Sequence, residues 1–338
     1  MTYVVRRTTA AGKVAAVAGG VLLAVFATLP WWSSSRDFMQ LVVEFVCILT
    51  IAQMWNLLAG YGGLISIGQQ AFIGIGGYTL VVLVNMLGLE PFVSIVLAGV
   101  VTTVLAVPTA LVVFRLRGAY FAVGTWVVAE VYRLFVANLA FLGGGSGQSL
   151  TGLAAIPVDV RQIATYEFAM ALAVFAILGV FLLLRSQLGF ALTAMRDSEV
   201  AAESQGIDVR RTRLAIYAIA SGVTGVAGAL YFLSALRISP DAAFGMSWIP
   251  LLFFTVVIGG IGTVEGPIVG TLLYFAMRET FSGFGTWYLI ALGVLSIAVM
   301  LLAPTGLWGL FQRATQWRLF PIQHIVSLGH GEATGEPQ

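Results

Sequence analysis

Glu130 and Arg133 stand three residues apart in an apolar stretch, a spacing that puts a carboxylate and a guanidinium on one face of a helix. Alone in hydrocarbon either charge is costly. Together they read as a structural ion pair near the middle of a span or as a station on a solute pathway. Ser66, Gln69, Gln70 and Tyr78 form a second set, hydrogen-bonding side chains among the glycines of "GGLISIGQQAFIGIGGY". Interrupted helices expose backbone groups at their broken ends and bind charged solutes there. This stretch and residues 259–270, with Thr263, Glu265 and Pro267, have that composition; close helix packing through glycine is the alternative for both.

A third set is "MRDSEVAAESQGIDVRRTRL", residues 195–214, where eight of twenty side chains are charged. Asp197 or Ser198 can cap a short helix, Glu199 suits the positive end of its dipole, and Gly206 can close it in a left-handed conformation. Asp208 can cap the helix that follows. Glu199, Ala202, Glu203 and Gly206 share one face, and Ala201 and Ala202 let another surface approach. The stretch is therefore either a solvated loop or a rigid projection that docks on a soluble partner.

Other chemistries are excluded. A phosphate-cradling loop needs Gly-Lys-Ser/Thr, and the sole lysine, Lys13, is followed by valine. "GIGIGGY" and "GGIGTVEG" do not follow strands, so they are not dinucleotide fingerprints. Cys47 lies alone in an apolar run, and His324 and His330 fall in the tail, so no metal-ligand spacing exists.

The elements that must hold these residues are membrane spans. Of 338 residues 59% are hydrophobic and 9% charged, and the mean hydropathy of +0.97 lies outside soluble composition. Crossing ~30 Å of hydrocarbon takes about 20 apolar residues as helix, and such runs recur without the alternation of a barrel. The expected fold is an all-α polytopic transmembrane bundle of about ten spans with interrupted glycine-rich helices. The expected spans are 14–30, 38–59, 64–86, 91–114, 119–141, 164–184, 212–236, 246–262, 267–279 and 287–302, the eighth and ninth short or interrupted. The basic leader before the first could also belong to a signal peptide, but the many spans that follow favour a retained helix.

With the N-terminus cytoplasmic, twelve basic residues fall inside (Arg6, Arg7, Lys13, Arg115, Arg117, Arg185, Arg196, Arg210, Arg211, Arg213, Arg313 and Arg318) and four outside (Arg36, Arg161, Arg237 and Arg278). Both termini are then cytoplasmic. Residues 1–13 form an N-terminal segment, 14–310 the membrane domain with a cytoplasmic loop at 186–211, and 311–338 a tail. Glu265 falls in a cytoplasmic turn, away from solute. Glu44 and Glu167, near span ends, reach for the interface, Pro108 kinks the fourth span, and Trp31, Trp32 and Trp287 anchor in the aromatic belt. The outer segment "LGGGSGQSLTGLAAIPVDVRQ" is an exposed loop with room to receive something, or a plain connector.

"WNLLAGYGGLISIGQQAFIGIGGY", "LRGAYFAVGT", "AMRDSEVAAESQGID", "GGIGTVEGPIVG" and "APTGLWGL" occur in this order over residues 38–310. In them the chain resembles the M-type permeases of branched-chain amino-acid ATP-binding-cassette importers, and "EVAAESQGI" resembles the coupling loop of that class. It lacks the Ile-x-Leu-Pro that follows in other importer loops. The resemblance implies a permease without catalytic activity or cofactor of its own, in a plasma (inner) membrane, with no nucleic-acid partner. It implies two ATP-binding subunits that hold ATP and magnesium, a second homologous permease, an extracytoplasmic binding protein and surrounding lipid. Coupling to the ATPase then falls to Arg196, Asp197, Ser198, Glu199, Ala201, Ala202, Glu203 and Gly206, and the substrate path to Ser66, Gln69, Gln70, Tyr78, Glu130 and Arg133. Urea, short amides or aromatic acids are alternative cargoes, and a stand-alone secondary transporter is the alternative mechanism.

Overall fold

The computed structural model describes residues 3–6, 10–32, 35–153, 156–281, 283, 285, 287–303, 305–315 and 325–328. Arg7, Arg318, His324 and His330 lie outside them, as does most of the expected tail.

The chain is an all-α polytopic bundle. In order come α1 (Ala10–Trp32), α2 (Arg36–Asn56) running into a π turn at Leu57–Tyr61, α3 (Gln70–Val81) with a π turn at Val82–Met86, α4 (Pro91–Val113), α5 (Ala119–Ala137) and α6 (Val158–Leu184). Two short helices follow, α7 (Gln187–Asp197) and α8 (Glu199–Ser204), then α9 (Val209–Ala235), α10 (Pro240–Phe244), α11 (Trp248–Phe253) with a π turn at Phe254–Ile258, α12 (Gly266–Phe281), α13 (Trp287–Leu302) and α14 (Gly306–Thr315). Two-residue strands β2 (Gln148–Ser149) and β3 (Arg237–Ile238) pair antiparallel, as do β1 (Tyr3–Arg6) and β4 (Ile325–Leu328) at the chain ends.

Among the described residues six helical segments are long and apolar enough to cross a membrane, or seven if the pair Ile290–Leu302 and Gly306–Thr315, bent by 41°, counts as one. The ten expected spans are not reached by length. For the third expected span the reason is local: residues 62–69 are not helical, so it begins only at Gln70; the ninth, after the turn at 261–265, is 16 residues long. Apolar runs report residues that tolerate lipid or core. Glycine decides where the helical ladder breaks.

Lipid provides no hydrophobic drive between helices, so close packing and interhelical hydrogen bonds must hold them. The core is α2, α3 and α9. α2 and α9 bury 83% and 72% of their most apolar eighteen residues, against 39% for α4 and α6 and 22% for α5. Small residues let the inner helices meet: a Cβ on Gly76 of α3 would lie 2.1 Å from the Gly225 carbonyl oxygen of α9. Phe72, Tyr217 and Phe114 then interlock edge to face at ring separations of 5.4 and 5.3 Å.

Several expectations are corrected. Glu44 does not reach for the interface; both its oxygens accept from Arg278 of α12, at 2.6 and 2.9 Å. The segment after α5 is fastened rather than loose. Asn85 accepts from the N–H groups of Thr151 and Gly152 and donates to the Ser149 carbonyl, while Leu150 and Leu153 are buried. Cys47 is fully buried.

Candidate functional site

The charged stretch folds as its caps dictate. Ser198 Oγ accepts from the Ala201 N–H at 3.3 Å to start α8. Gly206, at φ +83°, ends it, with N–H groups of Gly206 and Ile207 returning to the carbonyls of Glu203 and Ala202. The Asp208 carboxylate accepts from the Arg211 N–H at 2.9 Å and starts α9. Glu199 pairs with Arg213, stitching α8 to α9. The sequence missed α7, an amphipathic helix that buries Gly189, Leu192 and Met195.

One feature of α8 differs from expectation. Ala202 is 1% exposed and turned into the protein, so it packs the knob onto its base. The apolar side chain that faces outward is Val200, 75% exposed, flanked by exposed Ala201, Glu203 and Ser204.

Behind this knob two glycine-broken junctions meet. At the first, α2 ends in its π turn, the chain is non-helical through 62–69, and α3 begins. Trp55 Nε1 donates to the Ser66 carbonyl at 2.7 Å, the Ile67 N–H donates to Thr125 Oγ1 at 3.0 Å, and Gln69 Nε2 donates to Thr224 Oγ1 at 2.6 Å. Side chains of α2 and α5 thus satisfy backbone groups that the break exposes, while α9 holds the Gln69 side chain. At the second, between α11 and α12, Asn56 Oδ1 accepts from the Gly262 N–H and Asn56 Nδ2 donates to the Thr263 carbonyl, both at 2.8 Å. Gln53 Nε2 donates to the Val264 carbonyl at 2.7 Å. Arg196 joins them from α7, donating from Nη1 to the Gly60 carbonyl at 3.0 Å.

Ser66, Gln69 and Gln70 are therefore brought together and buried. Both amide atoms of Gln70, Gln69 Oε1 and the Tyr78 hydroxyl have no protein partner among the described residues. Such groups are costly in a dry core, and they are donors and acceptors available to a polar solute or to water. Tyr78 lies further along α3, stacked on Phe244 of α10 at 5.9 Å. Glu265 sits in its expected turn but is 5% exposed.

Glu130 lies near the middle of α5, as expected, and Arg133 about one turn further toward its end at Ala137. Arg133 donates to Glu130 from Nε and Nη2 and to Asp241 of α10 from Nη1 at 2.7 Å. Asp241, absent from the sequence expectations, makes the pair a triad. Through α10 this triad and Tyr78 share one support.

Sequence reasoning also missed Gln53, Asn56, Thr125 and Thr224. The available signal was two amides, Gln53 and Asn56, three apart in an otherwise apolar span. Nothing in this arrangement pairs a nucleophile with a base. Its polar groups can bind, hold and release; among the described residues no three His, Cys, Asp or Glu side chains gather as a metal site.

Comparison with known proteins agrees with the architecture. The family model described as "Branched-chain amino acid transport system / permease component" matches residues 37–304. The high-affinity branched-chain amino acid transport system permease protein LivM of Escherichia coli (strain K12) is 27% identical over 314 residues, covering 85% of this chain and 73% of that protein. Its counterpart in Salmonella typhimurium is 28% identical, covering 81% and 70%. A probable LivM of Methanocaldococcus jannaschii is 26% identical, covering 64% and 68%. No solved structure gives a significant match. With most of its length inside the family model, the chain belongs to the branched-chain amino acid transport permease family.

Proposed function

We propose that this chain is the membrane-spanning subunit of an ATP-driven importer and moves branched-chain or related apolar amino acids. The observation that carries the reading is α8: a capped helix projecting an exposed valine beside charged residues, in a chain of this permease family. Two ATP-binding subunits, holding ATP and magnesium, dock on α8. Arg196, Asp197, Ser198, Glu199, Ala201, Glu203 and Gly206 shape that contact, and Ala202 seats it. A second, homologous permease lies alongside, an extracytoplasmic binding protein delivers solute, and lipid surrounds the rest.

Counted as the six long spans plus α1, α3, α12 and α13, the crossings number ten and both termini share one side; the excess of basic residues there supports the cytoplasmic side for them and for α8, with the membrane domain at 14–310 between segments 1–13 and 311–338. The location is the plasma (inner) membrane. Of the six long segments α5 is the least buried and has the lowest hydropathy, 1.3, and it carries Glu130 and Arg133. A helix of that kind faces a polar path rather than lipid, so α5, Ser66, Gln69, Gln70 and Tyr78 line or support the route of the solute.

The test is reconstitution of the chain, its companion permease and ATPases in vesicles. Leucine uptake should require ATP and the binding protein, and excess isoleucine or valine should suppress it. Uptake by the chain alone under an ion gradient would overturn the reading in favour of a secondary transporter. Suppression by urea or aromatic acids but not by branched-chain ones would overturn the substrate class.

A further inference from the structure

The charges of residues 196–213 mostly close on themselves. Glu199 pairs with Arg213 and Asp208 with Arg211. Arg196 reaches out of the segment. Its guanidinium donates to the carbonyl of Gly60, 136 positions earlier, in the π turn that ends α2. Carbonyls in the last turn of a helix lack an intrahelical partner, and a cation there is favoured by the dipole.

Gly60 is where the two junctions touch. A Cβ on Gly60 would sit 2.6 Å from the Gly262 nitrogen, so only glycine admits this approach. A Cβ on Gly262 would in turn lie 3.6 Å from Arg196 Nη1, and one on Gly63 3.6 Å from Arg196 Cγ. The arginine thus lies across both breaks, its stem on the first and its head beside the second. At its other end it is fixed to the knob: the Ser198 N–H that begins the α8 cap donates to the Ala194 carbonyl in α7 at 3.0 Å.

We infer that Arg196 is the positioning residue that transmits displacement of α8 to the ends of α2 and α11, and so to the starts of the broken helices α3 and α12. This rests on the proposed function, because it needs a motor acting on α8. The guanidinium bonds to backbone, so the junction moves with α7 whatever side chains surround it. Its planar fork can engage the Gly60 carbonyl while remaining beside Gly262, which a lysine ammonium, a single point donor, does less well.

The test uses the complete transporter in vesicles and reads solute moved per ATP hydrolysed. Arg196→Met should lower that ratio about tenfold, the loss expected for a charge-assisted hydrogen bond. Arg196→Gln keeps an N–H donor and should recover part of it, while Arg210→Gln, an exposed charge outside the junction, should match wild type. A second readout covers loss of assembly. Spin labels at Gln205→Cys and Ile65→Cys, both exposed positions, should keep one separation through the nucleotide cycle in the wild-type background and change separation in Arg196→Met. A wild-type ratio in Arg196→Met, or labels that separate in the wild-type background, would overturn the inference and leave the proposed function standing. Uptake without any ATPase would remove both.

Discussion

Asn56 holds Gly262 across the interior: its side-chain oxygen accepts the Gly262 N–H at 2.8 Å from 206 residues away. Its nitrogen simultaneously donates to the Thr263 carbonyl, so one amide satisfies two backbone groups of a turn that cannot satisfy itself.

Replacing Asn56 by leucine leaves both of those groups unpaired. The expected destabilisation is about 1–3 kcal/mol, between the modest average for membrane hydrogen bonds and the full cost of buried orphans. Thermal unfolding of the detergent-purified chain measures it, and an unchanged midpoint would show that water takes over the role.

Gly60→Ala should be more damaging than composition suggests. Its Cβ would meet Asn56 Oδ1 at 2.4 Å and the Gly262 nitrogen at 2.6 Å, forcing the junctions apart. Gly179→Ala in α6 has nothing within 4 Å and should be neutral or stabilising by up to ~1 kcal/mol. The pair compared by yield and melting temperature separates close approach from ordinary helix propensity.

Glu44 and Arg278 form a bidentate pair, each about a quarter exposed, with Arg278 also over the Phe275 ring at 4.5 Å. Arg278→Met should cost on the order of 3 kcal/mol by stranding a carboxylate in the span. The double variant Glu44→Leu with Arg278→Met should recover much of that loss. Recovery of none in a double-mutant cycle would mean that the pair is not coupled.

Val200→Asp should weaken copurification of the ATP-binding subunits while leaving the melting temperature of the isolated chain unchanged, since the side chain touches solvent. Ala202→Arg should lower that melting temperature, because it forces a long cation into a buried position. Equal effects of the two on both measurements would refute the division between an outward valine and an inward alanine.

Parts of the site were legible early because they are local. Ser198, Gly206 and Asp208 cap the elements that their types announce, and each acts within three or four residues of its own position. The inward turn of Ala202 was not legible, since a two-turn helix of small and charged residues has no apolar stripe to orient it. Nor was the third partner of Glu130 and Arg133, since Asp241 lies 108 positions from Arg133 along the chain.

The sequence by itself determined that this chain is a membrane bundle, where its glycines interrupt helices and how its charged knob is capped, because these follow from transfer of side chains to lipid and from bonds between near neighbours. Only the tertiary structure decided that Gly60 meets Gly262, that Arg196 reaches Gly60 and that Glu44 finds Arg278 across 234 positions. Spans that are apolar on every side carry little record of which face meets which neighbour. That choice is made by the fit of small residues and by the few polar groups that must find one another away from water.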